Sequence, residues 1–454
     1  MPTPRVLLIA EQCNPEWQSV PLVGWSHCRA IAARTESHLV TQIRNRDAFS
    51  RAGLVEGRDF TAIDSEAISR PVWKLTNLIR GGSEKGYTTV MAFAPLGQWY
   101  FEQLVWRRFR DELQSGRFSV VHRVTPMSPA VPSSLAKKCH RVGVPFVLGP
   151  LNGGLPWPKE FAHLRRREHE WLAKVRSAHK LLPGYRATRK YASAILVGSR
   201  STFEQLPARY RDKAFYMPEN ALDLARFTRQ REETYDGPLR ILFVGRLVPF
   251  KNPGVVLEAS AELLRRGEAT LTIVGDGPEL PSLQSQAAAL GVESAVRFVG
   301  SVPHAELQNY YATSDVFAFP SIRELGGAVV LEAMALGCVP VVVDYGGPPE
   351  FLSPEIGVCI DLGPHSALVS QLSACLRNLA AAPDLLARMS AAATDRARTH
   401  FTWEAKAELD AQVYDWVLCA GPKPVSPPPD CGALLRGDDL PGLVGAPTTA
   451  TIGI

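Results

Sequence analysis

The chain has 454 residues, 46% hydrophobic and 21% charged, with a mean hydropathy of -0.05. This balance excludes collagen-like, mucin-like and wholly disordered chains and leaves a globular protein with enough material for two cores. The net charge of +5 is unevenly spread: residues 1–215 carry 33 Lys+Arg against 17 Asp+Glu, net +16, and residues 216–454 carry 17 against 28, net -11.

In chain order, the opening offers only the five-residue apolar run Val6 to Ala10 before Glu11. That is too short for a signal-peptide core, and no stretch approaches the roughly 18 apolar residues of a spanning helix. A cytoplasmic location is expected. Strands are predicted at Arg5–Ala10, Ser37–Arg44, Phe118–His122, Pro145–Leu148 and Ala194–Gly198, with helices near Ser26–Arg34 and Gly97–Gln114 and a basic helical stretch over Trp157–His179. Apolar strands alternating with helices argue a parallel sheet covered on both faces. The second half repeats the pattern, with strands at Arg240–Val244, Thr270–Val274, Ala295–Val299, Val316–Pro320, Val339–Val343 and Val358–Asp361. Asn252 and Pro253 read as the cap and first residue of a helix that buries Val256, Ala259 and Leu263. Two doubly wound domains follow, 1–217 and 218–420, and the Pro-rich, small-residue stretch 421–454 reads as a disordered tail. The eight cysteines include no C-x-x-C pair and are expected to be buried, reduced thiols.

Four loops of the second half carry the chemistry. FVGRLVPFKN sets Gly245, Arg246 and Lys251 beside a helix start, where two cations suit an anion. VGDGPEL, with Gly275, begins a G-x-G-x-x-G fingerprint, but Leu280 occupies the place of its third glycine; a tight strand-to-helix turn explains it equally well. FVGSVPHAEL brings Gly300 and Val302 to a strand end, where main-chain groups can meet a flat base. SIRELGGAVVLEAMALG places Glu324 on a loop, Gly326, Gly327 and Ala328 at a helix start, and Glu332 on that helix. Glycines let a backbone approach a ligand and leave amides free for a phosphate. The apolar surroundings of Glu332 suit a hydrogen-bonding carboxylate better than a water-activating one.

From about Asn220 to Asp415 the chain resembles the nucleotide-binding half of family 4 glycosyltransferases. PENALDLARF resembles the interdomain segment, the four loops follow in family order, and FTWEAKAELDAQVYDWVL, about 402–418, resembles the closing helix that packs back on the N-terminal domain. The resemblance implies a GT-B fold, two facing Rossmann-like α/β domains with a cleft between them, and a retaining hexosyltransferase. It implies that Arg246 and Lys251 bind the diphosphate of a UDP- or GDP-sugar, that Glu324 contacts the donor sugar and Glu332 the ribose, and that Gly327 gives its amide to phosphate or sugar. Catalytic roles then fall to Arg246, Lys251 and Glu324. The family's E-P-F-G reads Glu324-Leu325-Gly326-Gly327 here, without the aromatic beside the donor sugar.

The first half matches less closely. SVPLVGWSH, with Gly24 and His27, stands for the acceptor-side glycine loop, and GPLNGG, with Asn152 and Gly153, is a second acceptor candidate or a plain turn. In VVHRVTP, His122 fits the first of the family's two histidines, while Val124 occupies the place of the second; His122 is either a catalytic candidate or a structural histidine. No D-x-D motif occurs, so neither metal nor cofactor is expected and the leaving diphosphate would be neutralised by side chains and helix amides.

The alternatives are a catalytically silent GT-B binding subunit and a GT-B sugar-nucleotide epimerase. Without a recognised module, nucleic acid is disfavoured as the partner of the basic half. GQWYFEQLVWRRFRDEL, with Arg107, Arg108 and Arg110, and a second stretch with Arg165 to Arg167 suit either an anionic membrane surface or a core-facing aromatic stripe with a solvated polar face, and the net +16 gives weight to the membrane. The expected acceptor is a glycan or lipid-linked glycan, used in cell-envelope or exopolysaccharide synthesis at the inner face of the membrane.

Overall fold

The computed structural model describes residues 3–71, 87–158, 161, 180, 182, 184–229, 231, 237–429, 431 and 434–436. In the first part of the chain run β1 (Arg5–Ala10), α1 (Val20–Ala32), β2 (Glu36–Gln42), α2 (Arg46–Arg51), β3 (Phe60–Ile63), α3 (Tyr87–Gln114), β4 (Val120–Thr125), α4 (Leu135–Arg141) and β5 (Phe146–Leu151). They are followed by α5 (Tyr185–Tyr191), β6 (Ala194–Val197), α6 (Arg200–Gln205) and β7 (Ala214–Tyr216). The second part holds β8 (Leu239–Val244), α7 (Pro253–Arg265), β9 (Ala269–Val274), α8 (Leu280–Leu290), β10 (Val296–Gly300), α9 (Leu307–Ala312) and β11 (Val316–Phe319). It continues with α10 (Ala328–Ala335), β12 (Val339–Val343), β13 (Val358–Ile360), α11 (His365–Ala380), α12 (Pro383–His400) and α13 (Trp403–Val417).

The chain divides into two units, one made of Met1–Ala221 and Phe401–Pro429, the other of Leu222–His400 and Asp430–Ile454. The second-domain range read from sequence, 218–420, is thus split, because α13 packs on α1 and joins the first unit.

The first unit carries a seven-stranded parallel sheet in the order β3-β2-β1-β4-β5-β6-β7. Side chains alternate across a strand, so Leu7 and Ile9 of β1 enter one core with Phe101, Val105 and Phe109 of α3. Val6, Leu8 and Ala10 enter the opposite core, which α13 completes with Val413 and Tyr414. Each such fully buried large side chain contributes about 1.5–3 kcal/mol. Phe101 and Val105, in the stretch read from sequence as either a membrane face or a core-facing aromatic stripe, face the core, while Leu96 and Trp99 are more than half exposed. The helix expected over Trp157–His179 falls largely outside the described residues, Arg165 to Arg167 included.

The second unit carries a six-stranded parallel sheet in the order β10-β9-β8-β11-β12-β13. α7 begins with Pro253 and buries Val256, Ala259 and Leu263, but Asn252 does not cap it. Asn252 is left-handed, with φ 53°, and donates its Nδ2 to Pro320 O at 3.0 Å, so it ties the loop after β8 to the end of β11.

The reading of 421–454 as a disordered tail is corrected for its described residues. Tyr216 N donates to Ser426 O at 2.8 Å, Ser426 Oγ to Tyr216 O at 2.6 Å, and Lys423 pairs with Asp212. In the second unit, Cys359 N donates to Leu435 O at 2.9 Å and Arg436 binds Asp344 at 2.7 Å. Cys431, Leu434 and Leu435 are buried. A low-hydrophobicity segment can thus be ordered by pairing its backbone with strands already formed. The cysteines at 13, 28, 139, 338, 359, 375 and 431 are buried free thiols, whereas Cys419 is exposed.

Candidate functional site

Ligands of parallel α/β sheets lie beyond the carboxyl ends of the strands. In the second unit β8 is followed by Gly245 and exposed Arg246, and the chain then turns through Pro249–Lys251. The turn is anchored by Leu247 N donating to Asp276 O at 2.9 Å and Ile322 N to Phe250 O at 3.0 Å. After β9, a Cβ on Gly275 would lie 1.9 Å from Gly245 O, so the two loops abut as only glycine allows. Gly275 N then donates to Gly300 O at 2.8 Å, which laces the turns after β8, β9 and β10 into one rim. Val302 follows on that rim, half-buried.

The loop after β11 supplies the acidic side. Lys251 forms an ion pair with Glu324 and lies 4.7 Å from the centre of the Phe319 ring. The other oxygen of Glu324 accepts from Gly327 N at 3.4 Å. Gly327, with φ 54°, opens α10; Gly326 precedes it and Ala328 is the first helical residue. Glu332, on the same helix, is 7% exposed. Its Oε1 bonds His304 Nε2 at 2.8 Å, and its Oε2 accepts from Tyr311 Oη at 3.2 Å.

The hydrogen bond to Glu332 raises the proton affinity of His304, and burial holds the Tyr311 phenol well above its usual range, so it remains a donor. The sequence reading passed over both residues. His304 stood in the FVGSVPHAEL text and Tyr311 on the helix behind it, but neither matched a motif.

The first-unit candidates are engaged in packing and internal bonds. Gly24 lies within α1, not on a loop, and a Cβ there would meet Gln12 O at 2.5 Å. The expected glycine loop is therefore a close helix contact. His27, buried, bonds Asp410 Oδ2 at 2.6 Å through Nε2. His122 is buried, with Nε2 2.7 Å from Gly149 O and Nδ1 2.6 Å from Tyr414 Oη. A carbonyl only accepts, so Nε2 carries the proton and Nδ1 accepts from the tyrosine. Val124 is wholly buried. Asn152 donates to Glu219 at 2.5 Å and accepts from Ser199 Oγ at 2.9 Å, and Gly153 O accepts from Thr202 Oγ1 at 3.4 Å, just past the end of β5.

Residues 225–396 match the family model described as glycosyl transferases group 1. The matched stretch holds every second-unit residue of the site. The chain is 34% identical over 214 residues to the D-inositol 3-phosphate glycosyltransferase of Corynebacterium efficiens, across 45% of this chain and 48% of that protein. It is also 34% identical over 227 residues to the GDP-mannose-dependent alpha-(1-6)-phosphatidylinositol monomannoside mannosyltransferase of Mycolicibacterium smegmatis, across 48% of this chain and 56% of that protein. The chain spans about half the length of the curated relatives it matches. Over the whole fold it is similar to a glycosyltransferase from Rickettsia africae ESF-5, with a TM-score of 0.58, 14% identity, and coverage of 92% of this chain and 99% of that one. The two parallel α/β units are those of the GT-B glycosyltransferase fold.

Proposed function

We propose that the protein is a retaining, metal-independent glycosyltransferase. It moves a hexose-type sugar from a UDP- or GDP-sugar to a glycan or lipid-linked glycan in cell-envelope or exopolysaccharide synthesis. The observation that carries this reading is the pairing of Lys251 with Glu324 at the opening of α10, inside the group 1 domain. In this reading the diphosphate draws Lys251 away from Glu324, and the freed carboxylate accepts from donor-sugar hydroxyls. As the anomeric carbon–oxygen bond breaks, Arg246, Lys251 and the first amides of α10 stabilise the departing charge. The departing phosphate oxygen takes the proton of the acceptor hydroxyl, which attacks the same face.

Lys251→Ala and Arg246→Ala should each lower transfer by about 10²–10³ with little change in melting temperature. Near-normal turnover in both variants would reject the donor site. Transfer should also survive excess EDTA, and UDP or GDP should raise the melting temperature. Peripheral membrane contact is part of the same proposal, supported by the net charge of residues 1–215 and by exposed Trp99, Arg107, Arg108 and Arg110 on α3. The protein should sediment with acidic liposomes and not with neutral ones, and salt should release it.

A further inference from the structure

We propose that His304 is a positioning residue, which holds Glu332 in the orientation where its carboxylate receives the ribose hydroxyls of a nucleoside diphosphate; this rests on the donor-site reading above. Glu332 sits on α10 between buried neighbours, Leu331 and Ala333. A carboxylate withdrawn from water needs close partners. It has two: His304 on one oxygen at 2.8 Å and Tyr311 on the other at 3.2 Å.

A carboxylate has about four acceptor positions. These two bonds use one on each oxygen and fix the plane of the group, so the remaining lone pairs point in set directions. Tyr311 is wholly buried and approaches from inside the domain, whereas the His304 side chain is 48% exposed and approaches from the surface turn after β10. Glu332 is thus held between the interior and the turn after β10, whose leading strand end is joined to the loop after β9 by Gly275 N and Gly300 O.

His304 also supplies the countercharge. The groups facing it are Glu332, which favours its protonated form, Arg226, which opposes it, and the uncharged Phe227 ring at a centroid distance of 6.1 Å. Bonding to Glu332 outweighs burial and Arg226, so protonation persists to higher pH than in a free histidine. As pH rises through that titration the bond loses its charge and the carboxylate is held less firmly.

The test is calorimetric binding of UDP and GDP, and of their 2′,3′-dideoxy forms, to the full chain and to its His304→Ala and His304→Gln variants. The native protein should prefer the ribo form of the nucleotide it binds by about tenfold or more, as expected for hydrogen bonds to a charged group. His304→Ala should lose most of that preference while binding the dideoxy form as before. His304→Gln, which keeps an N–H donor, should restore much of it. Ribo-form affinity of the native protein should weaken as pH rises through the His304 titration, and that of the Gln variant should not.

An unchanged ribo-to-dideoxy ratio in His304→Ala would overturn the inference while leaving the donor site standing. Failure of the native protein to bind either nucleotide would instead remove the donor-site reading and this inference with it. His304 lies on a surface turn, and equal melting temperatures of the three proteins would show that folding is intact.

Discussion

His304 and His122 both lie near a carboxylate, yet their proton affinities move in opposite directions. His304 is half-exposed and bonded directly to Glu332, so its protonated form is favoured. His122 is sealed in the first unit; burial outweighs the attraction of Asp410, and its pKa falls to about 4 from the usual 6.5. As pH drops from 6.5 toward 4 the unfolded chain takes up a proton that the native His122 refuses. The stabilisation is therefore complete above pH 6.5 and lost as pH falls toward 4, by about 3 kcal/mol at full extent. The melting temperature should fall across that window, and His122→Gln should flatten the slope. Parallel curves for the two proteins would show that the histidine does not carry the effect. From VVHRVTP alone, His122 reads more readily as a structural histidine than a catalytic one, but its partner is not legible there, because the tyrosine that closes over it lies 292 residues later.

At the scale of elements, most strands are legible from their apolar runs, even the three-residue β13. β12 is Val339–Val343 in both readings, whereas β3 and β7, the two outer strands of the first sheet, have no counterpart among the expected strands. Loop motifs pointed to Lys251, Glu324 and Glu332, but the partners that fix Glu332 depend on how the turn after β10 approaches α10, which no local pattern records. A helix can be read with the right start and the wrong cap, as at Pro253, where the Asn252 side chain bonds Pro320 O instead of capping the helix.

At α13 the cap is present: Thr402 Oγ1 accepts from Ala405 N at 3.1 Å, and the helix then buries Trp403, Ala407, Asp410 and Val413. Thr402→Ala should lower stability by about 1 kcal/mol in denaturant titration with an unchanged m-value. A change in m instead would mean that α13 unfolds separately from the sheet beneath it.

At the scale of the whole molecule, neither unit is a continuous stretch of chain. Residues 1–217, the boundary suggested by composition, lack α13, which contributes Val413 and Tyr414 to a core containing Val6, Leu8 and Val120. It also carries Lys406, which donates to Pro218 O and Glu219 O. Expressed alone, residues 1–217 should bind a hydrophobic dye and melt without a cooperative transition, while a version with 401–429 attached through a linker should melt cooperatively. A sharp transition in the short fragment would show that α13 is dispensable to the core.

The described parts of the C-terminal segment run along β7 in one unit and β13 in the other, and each is the outermost strand on its side of its sheet. An outer strand presents a row of unused amides and carbonyls to any similar strand that arrives, and proteins that leave such rows open tend to polymerise. By occupying part of both rows, a stretch rich in proline and small residues, with little apolar surface of its own, leaves fewer open amides and carbonyls for self-assembly at β7 and β13, two of the four outer strands of the pair of sheets.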